Sequence, residues 1–322
     1  MKWKSGILAA LLAGSLALTG CSGGEKTYKV GLSVFADHPS LNAATEGFRK
    51  ALEDAGLNVQ FDEQNAQTDT NTAVTIAQNF VNSGVDLIFA NATPSAQAAA
   101  SATEKNSIPV IFTSVTDPVG AKLVETMEKP GGNITGTADM HPDSIPKTIE
   151  FISKYFDGKT VGTIYTASEQ NSVKQIEVMK EAIKGTGLSL VERTVSSTSE
   201  VLQAAESLVG VADVIFIVTD NTVVSGLESV VGVSEENDIP LFVGELDSVE
   251  RGGFAAFGFD YRDIGYEAGQ LAVKILKEGK KPSELPAQYP QNLKLVINKQ
   301  AAEKMGIEWN SEWDSSAEVI NK

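Results

Sequence analysis

The sequence predicts an α/β protein of two similar lobes, each built on a parallel sheet. From residue 28 onward, runs rich in β-branched residues alternate with amphipathic helical segments, which is typical of a parallel sheet covered by helices. Short sequence matches recur in the same order in both halves of the chain, which indicates a duplicated unit. The length of 322 residues and a hydrophobic content of 42% are sufficient for two globular domains.

The first half shows the expected alternation of strands and helices. A strand is predicted over Val30–Phe35, and apolar residues at helical spacing follow it until Gly56 ends the helix. The remaining predicted elements are a strand over Asn58–Phe61, a helix over Thr72–Asn82, a strand over Val85–Ala90, a third helix, a strand over Ile108–Phe112 and a strand over Ile134–Ala138.

Four short matches predict a second copy of this series. Val30, Gly56 and Ile108 and their neighbours correspond to Val161, Gly187 and Ile239, each 131 positions later. Asp86-Leu87-Ile88-Phe89 corresponds to Asp213-Val214-Ile215-Phe216, 127 positions later. We therefore expect two lobes with a cleft between them. Its ligand would lie beyond the carboxyl ends of the strands.

Charge and residue content argue against several classes of protein. The formal charge of −16 repels phosphate backbones and anionic lipid, so neither nucleic-acid binding nor electrostatic docking to a membrane is expected. A single cysteine excludes an internal disulfide. With only His38 and His141, the chain has no Cys/His cluster for zinc. We expect no metal and no cofactor.

The first 21 residues predict an export signal with a site of lipid attachment. Lys2 and Lys4 precede an apolar run from Gly6 to Leu18, which is too short to span a bilayer stably. The following Leu18-Thr19-Gly20-Cys21 resembles a bacterial lipoprotein signal, in which Cys21 receives lipid and becomes the new N-terminus. An ordinary secretory signal or a retained anchor would also export the protein. Residues 1–20 are predicted as the signal and 21–27 as a flexible tether.

Loops rich in hydroxyl groups follow the strands of the first half. Thr93-Pro94-Ser95 predicts a helix start with Thr93 as N-cap, where backbone N–H groups and two hydroxyls can receive a carboxylate. Simple helix capping is the alternative. The loop at 113–118 adds Ser114, Thr116 and Asp117, and the loop at 36–40 adds His38, which can bind a ligand or orient its own loop.

Carboxylates follow the strands of the second half. Asp220, Asp247 and Asp260 suit an ammonium group, although each one alone is more readily explained as a solvated helix cap. Ser172 and Gln175 have the capping-box spacing, which predicts Ser172 as a cap and leaves Asn171 free to face the cleft. A zwitterionic amino acid would satisfy both lobes. Aromatic residues near the same strand ends, which can pack its side chain, are Phe35, Tyr165, Phe259 and Tyr261.

Several of these segments resemble bacterial ABC-transporter substrate-binding lipoproteins of the tryptophan/tyrosine type, which have the type I periplasmic-binding fold. The resemblance runs from Val30 to about Ile307 and excludes the acidic tail at 308–322. Its most specific segments are Asp37-His38-Pro39, Asn91 to Gln97, Phe112 to Gly120, Lys129 to Gly136, Thr219-Asp220-Asn221-Thr222 and Leu293 to Asn298.

The resemblance implies capture of an aromatic amino acid outside the membrane and its delivery to an ABC permease. It implies that Thr93, Ser95, Ser114 and Thr116 receive the carboxylate end, and that Asn171, Asp220, Asn221, Thr222 and Asp247 form the other wall. The full set of residues predicted to bind ligand is His38, Thr93, Ser95, Ser114, Thr116, Asp117, Tyr165, Asn171, Asp220, Asn221, Thr222, Asp247 and Asp260.

The same resemblance implies a three-strand hinge, with crossings near Asp139, Gly258 and Gln288. The expected lobes are residues 28–139 plus 258–287 and residues 140–257 plus 288–322. Hinge closure around the ligand would produce the form that the transporter recognises. We expect a monomer that is lipid-anchored on the extracytoplasmic side of the membrane.

The sequence offers little support for an enzyme, and it leaves other binding functions open. The sequence has no G-x-S-x-G, H-E-x-x-H, P-loop or G-x-G-x-x-G motif, and Ser144-Ile145-Pro146-Lys147 matches S-x-x-K without its companion motifs, so an enzyme is not expected. A binding protein for a sugar, nucleoside or branched-chain amino acid, and a ligand sensor on the same fold, stay open as alternatives.

Overall fold

A computed structural model describes residues 26–322. The predicted signal, Cys21 and most of the predicted tether lie outside the described residues. The strands are β1 Thr27–Val34, β2 Asn58–Asn65, β3 Leu87–Asn91, β4 Val110–Val115, β5 Ile134–Ala138, β6 Thr160–Thr166, β7 Ser189–Val195, β8 Val214–Ile217, β9 Leu241–Val243, β10 Ala255–Gly258, β11 Lys294–Asn298 and β12 Glu318–Ile320. The α-helices are α1 Pro39–Asp54, α2 Thr70–Ser83, α3 Thr93–Thr103, α4 Ser144–Tyr155, α5 Gln170–Ile183, α6 Val201–Glu206, α7 Asn221–Val224, α8 Leu227–Glu236, α9 Leu246–Glu250, α10 Tyr261–Leu276, α11 Lys299–Lys304 and α12 Trp313–Ser316.

Two sheets share one strand order. The first sheet runs β2-β1-β3-β4-β5, and all its neighbouring strands pair in parallel. The second sheet repeats this order as β7-β6-β8-β9-β10. It continues with β11, which is antiparallel to β10, and with β12. The predicted α/β fold with parallel sheets is confirmed, and the sequence matches fall on equivalent strands.

The duplication extends to a side-chain contact. Asp86 accepts a hydrogen bond from the backbone N–H of Lys29 at 2.8 Å, where β1 and β3 begin. Asp213 accepts from the N–H groups of Lys159 and Thr160 at 2.8 and 2.9 Å, where β6 and β8 begin. The repeated Asp-Leu/Val-Ile-Phe segment therefore places an aspartate at the same edge of both sheets.

Helix α10 packs against α1 although it follows the second sheet's β10 in the chain. The two helices touch through backbone at glycine positions, because a Cβ at Gly265 would lie 1.9 Å from the carbonyl oxygen of Ala44. A Cβ at Gly47 would lie 2.1 Å from the carbonyl oxygen of Arg262. No side chain fits at such distances. The end of α10 is fixed to the first strand, since Leu276 accepts a hydrogen bond from the Tyr28 hydroxyl at 2.7 Å.

The chain passes between the two sheets three times, at residues 139–143, 259–260 and 289–293. Beside the first and third passages, Thr137 forms a bridge with Gln288, and the Ala138 N–H donates to the Gln288 carbonyl at 2.7 Å. Asp139 receives the Tyr261 hydroxyl at 2.9 Å, which ties the first passage to the second. These bonds hold the three passages side by side.

The C-terminal segment contributes to the second core. Trp313 is 2% exposed, and its ring lies 5.5 Å from Phe254 and 5.7 Å from Phe151, measured between ring centroids. The chain ends beside β11, where Asn298 donates to the carbonyl of Lys322 at 2.9 Å. The acidic tail, for which the sequence predicted no role, therefore completes the sheet and core of the second half.

Candidate functional site

Loops from the two halves meet at the carboxyl ends of the two sheets. Ser40, in the first turn of α1, donates to Oε2 of Glu245 at 2.7 Å, and Glu245 directly precedes α9. Asp117, after β4, lies 3.3 Å from the Nζ of Lys174 on α5. Both contacts join the half built on the first sheet to the half built on the second.

Five residues that the sequence predicts for ligand binding bury polar atoms that have no hydrogen-bond partner within residues 26–322. These atoms are the hydroxyls of Thr93, Ser95 and Ser114, Oδ1 of Asn171 and both ring nitrogens of His38. None of the five residues is more than 4% exposed. Buried polar atoms are nearly always hydrogen-bonded in proteins, so such a group indicates a place prepared for a polar ligand.

Similar atoms occur elsewhere in the described residues, for example at Thr163 within β6 and Ser234 on α8. An unpartnered buried atom is therefore not enough to define a site. The argument rests on the coincidence of five such residues with the strand-end loops in which the sequence predicts a ligand.

The part of the site that lies on the first sheet includes residues with a strained backbone conformation. Helix α3 begins at Thr93, and its N-cap is Ala92 with φ 85° and ψ 154°. The prediction of Thr93 as the N-cap is wrong by one residue, which puts its hydroxyl and that of Ser95 inside the first turn. Ser114 also has a positive φ of 55°, where the pairing of β4 with β5 shifts register. Strain of this kind is concentrated at functional sites, and the N-terminus of a helix favours an anion.

Four predicted residues make contacts that explain them without a ligand. The Thr116 hydroxyl donates to Asp139 at 3.0 Å, and the Tyr165 hydroxyl donates to Glu192 at 3.1 Å. The structure places Asp260 on the surface, where it caps α10 by accepting from the Arg262 N–H at 2.8 Å. Asp117 accepts from the Gly120 N–H at 2.8 Å besides its contact with Lys174.

Asp220, the predicted partner of a ligand ammonium, is fully engaged by its own half. Its carboxylate accepts from the N–H and hydroxyl of Thr166 at 2.6 and 3.1 Å, from the Ser172 hydroxyl at 2.7 Å and from the Val223 N–H at 2.8 Å. Burial raises the pKa of Asp220, while these bonds lower it. The capping-box interpretation of Ser172 is wrong, because α5 begins earlier, at Gln170, and the Ser172 side chain instead holds Asp220.

Glu169 is a buried carboxylate that the sequence prediction missed. Its Oε2 accepts from the side-chain amide of Asn171 at 3.0 Å and from the backbone and side-chain N–H of Asn221 at 3.3 and 2.5 Å. Its Oε1 accepts from the backbone N–H and hydroxyl of Thr222 at 3.2 and 2.9 Å. Burial and the Asp220 charge raise the pKa of Glu169, and the donors oppose this. Asn171, Asn221 and Thr222, which the sequence predicts for this wall, therefore all bind Glu169, which the sequence prediction missed.

Glu245 is the second missed carboxylate. It accepts from Ser248 at 3.2 Å as well as from Ser40, and the Nδ1 of His38 lies 4.0 Å from its Oε2. Burial raises the pKa of Glu245 to about 7. Burial lowers the pKa of His38 to about 4, so the imidazole is neutral at pH 7. Asp247 is half-buried, and burial raises its pKa as well.

A weak signal for both glutamates exists in the sequence. Glu169 and Glu245 each stand at the N-cap of a helix that follows a strand, and neither side chain caps its helix. Ser, Thr, Asp and Asn are the residues favoured at this position. A glutamate in this place indicates that its carboxylate bonds elsewhere, and here both carboxylates bond to residues from other loops.

Within residues 26–322, no helix is long and apolar enough to cross a membrane. The same residues contain no group of three or more His, Cys, Asp or Glu side chains placed to hold a metal ion.

The comparisons with known proteins define the family. Residues 29–320 match the family model of the ABC transporter substrate binding protein. This chain belongs to that family. It is the solute-binding component of an ABC transporter and is extracytoplasmic, as the whole family is. The resemblance stated from the sequence is thereby confirmed. A tyrosine-binding protein of Clostridioides difficile strain R20291 is 41% identical over 324 residues, which cover 94% of this chain and 92% of the relative.

Two solved structures show the fold and the relative placement of its halves. An ABC domain from Streptococcus pneumoniae in complex with L-Trp is 34% identical, covers 92% of this chain and 100% of its own, and has a TM-score of 0.86. The ligand-free, open structure of a substrate binding protein from Clostridium difficile is 38% identical, covers 92% and 99%, and has a TM-score of 0.66. The fold is the type I periplasmic-binding fold. At comparable identity, this chain is more similar in shape to the L-Trp complex than to the open protein.

Proposed function

We propose that this binding protein captures an aromatic amino acid, tyrosine or tryptophan, as a zwitterion between its two halves. The hydroxyls of Thr93, Ser95 and Ser114, which are buried without a protein partner, carry the proposal. They lie at a helix N-terminus and at the end of the neighbouring strand, which suits a carboxylate. The tyrosine-binding relative and the L-Trp complex support the choice of side chain.

The two halves act as lobes that close on the ligand. We take residues 28–139 plus 258–287 as one lobe and residues 140–257 plus 288–322 as the other. The Ser40–Glu245 and Asp117–Lys174 contacts hold the closed form, and opening breaks both. This form is the one that the permease recognises. The chain acts by binding alone, without catalysis.

The mature protein is a lipid-anchored monomer. Its anchor is Cys21 behind the signal at residues 1–20, and residues 21–27 form the tether. Replacing Cys21 with Ala should move the protein from the membrane fraction to the soluble fraction after cell lysis. Unchanged retention in the membrane fraction would refute the anchor. Light scattering of the lipid-free chain tests the monomer.

The ligand is tested by calorimetry of residues 22–322 against the twenty amino acids, sugars and nucleosides. Tyrosine or tryptophan should bind. Thr93→Val, which removes one hydroxyl and keeps the shape, should weaken binding at least tenfold, or about 1.4 kcal/mol. Thr186→Val is the matched control, because Thr186 lies just after α5 and its hydroxyl bonds within its own turn. Tight binding of a sugar, a nucleoside or a branched-chain amino acid without any response to aromatic amino acids would overturn the proposal.

A further inference from the structure

The side-chain amide of Asn171 has one orientation that its neighbours permit. Its Nδ2 donates to Oε2 of Glu169 at 3.0 Å and to the carbonyl of Thr219 at 3.2 Å. The Thr219 carbonyl has no proton to donate, and Oε2 of Glu169 also accepts from both N–H groups of Asn221. Turning the Asn171 amide over would set its oxygen against both acceptors. Oδ1 of Asn171 therefore points away from Glu169, and it is buried with no partner within residues 26–322.

The amide of Asn221 is fixed by the same carboxylate. Its Nδ2 lies 2.5 Å from Oε2 of Glu169, so its Oδ1 also points away from Glu169. The backbone N–H of Asn221 bonds to the same oxygen at 3.3 Å, which fixes the residue beside Glu169.

Asp220 cannot bind the ligand's ammonium group directly. Four donors from Thr166, Ser172 and Val223 occupy its two oxygens, as described above. The carboxylate of Glu169 is likewise covered by five donors. Within the cluster around Glu169 and Asp220, the acceptors that remain are the amide oxygens of Asn171 and Asn221. An ammonium group makes charge-assisted hydrogen bonds to such oxygens, and these bonds are strong when the oxygens are buried and oriented in advance.

We propose that Glu169 is a positioning residue that sets the polarity of the second wall. It binds the NH₂ groups of Asn171 and Asn221, and both amide oxygens consequently face the cleft as acceptors for the ligand's ammonium. The negative charge of Glu169 lies directly behind these amides and favours the same cation. The ammonium is thus bound by neutral amide oxygens at this cluster. This inference rests on the proposed function, since it assigns the second end of the same zwitterion.

The test compares each amino acid with its analogue that lacks the ammonium group. L-Tyrosine is paired with 3-(4-hydroxyphenyl)propionate, and L-tryptophan with 3-indolepropionate, in calorimetric titrations at pH 7. In Glu169→Gln one oxygen is replaced by an NH₂ group, which faces either the Thr222 donors or those of the two asparagines, and the negative charge behind the amides is lost. We expect the affinity for the amino acid to fall more than tenfold and that for the analogue to change less than threefold. The preference of the protein for the amino acid over its analogue should therefore be largely lost.

Two further variants separate positioning from stability. Asn171→Leu removes one acceptor without touching Glu169 and should reduce the same discrimination, while Glu169→Asp should restore part of it. Glu235→Gln is the control, because Glu235 makes only an exposed ion pair with Lys304.

Equal loss of affinity for both ligands in Glu169→Gln, or unchanged amino-acid binding, would overturn the inference. If Glu169→Gln fails to fold, full discrimination in Asn171→Leu would overturn it. A wild-type chain that binds neither amino acid refutes the proposed function instead.

Discussion

The Glu245 carboxyl should make ligand binding weaker as the pH rises, because closure buries it. In the closed form, Glu245 is 3% exposed and accepts from Ser40 of the other lobe. Burial raises its pKa from 4.5 to about 7, and opening removes Ser40 and admits water. A carboxyl whose pKa is higher in the closed form favours closure when protonated. This contribution is complete below pH 4.5 and is lost as the pH rises through 7.

The size of the effect follows from the same shift. Each pKa unit corresponds to about 1.4 kcal/mol. Between pH 5 and pH 7.5, Glu245 should therefore cost closure about 2 kcal/mol, or roughly thirtyfold in affinity. His38 acts in the opposite sense, because burial lowers its pKa from 6.5 to about 4, so closure expels a proton from the imidazole when the pH lies below 6.5. The Glu245 contribution is therefore measured as the difference between the wild type and a Glu245 variant.

The charged groups on the same lobe as Glu245 do not reverse the direction of its pKa change on closure. Asp247 raises the pKa of Glu245 further, and Arg251 lowers it. Both residues belong to or directly follow α9, on the same lobe as Glu245, so they remain beside it when the lobes separate. The change on opening therefore comes mainly from the water that replaces Ser40 and the rest of the first lobe.

The assay is calorimetry with tyrosine or tryptophan at pH 5, 6, 7 and 7.5, repeated in buffers of different ionisation enthalpy to count protons. Compared with Glu245→Gln, the wild type should lose at least tenfold more affinity between pH 5 and pH 7.5 and should take up more protons on binding near pH 6. Glu303→Gln, at an exposed site, should behave like the wild type. The same slope and the same proton count in Glu245→Gln as in the wild type would refute the reasoning.

Three further predictions concern stability and are measured by urea unfolding with circular dichroism. Gly265→Ala should cost 2 kcal/mol or more, since its Cβ meets backbone at 1.9 Å, and native-like stability would show that α1 and α10 are not in backbone contact. Asp220→Asn should cost about 3 kcal/mol, because its amide would face four donors, and a cost below 1 kcal/mol would contradict that network. Ala92→Gly should add about 1 kcal/mol by releasing strain at φ 85°, and a loss of stability would show that no strain is stored there.

The order of strands and helices was predictable because hydrophobic periodicity and the repeat are local properties of the sequence. Ile134–Ala138 was predicted with its observed bounds, and Gly84 ends its helix as expected. Other observed element boundaries differ from the predicted ones by a few residues. Helix α2 begins at Thr70 because Asp69 caps it, accepting from the Thr72 N–H at 2.6 Å.

The site was predictable only in part because its networks join distant loops. The hydroxyls at Thr93, Ser95 and Ser114 follow from strand-end position alone. The roles of Glu169 and Asp220 do not, since they depend on which donors from residues about 50 positions away reach each carboxylate. Sequence spacing identifies residues that share an edge of a sheet, whereas the direction of each side chain is decided by tertiary packing.

The return of α10 to the first sheet determines when the chain can finish folding. The hydroxyl of Tyr28 binds a carbonyl 248 positions later, and the glycine contacts that seat α10 on α1 form only after residue 265 exists. The second half also waits for Trp313, near the end of the chain. Neither core can close during most of synthesis. The export predicted from the sequence would benefit from this delay, because an unfolded chain could enter a translocation channel before any stable lobe blocks it.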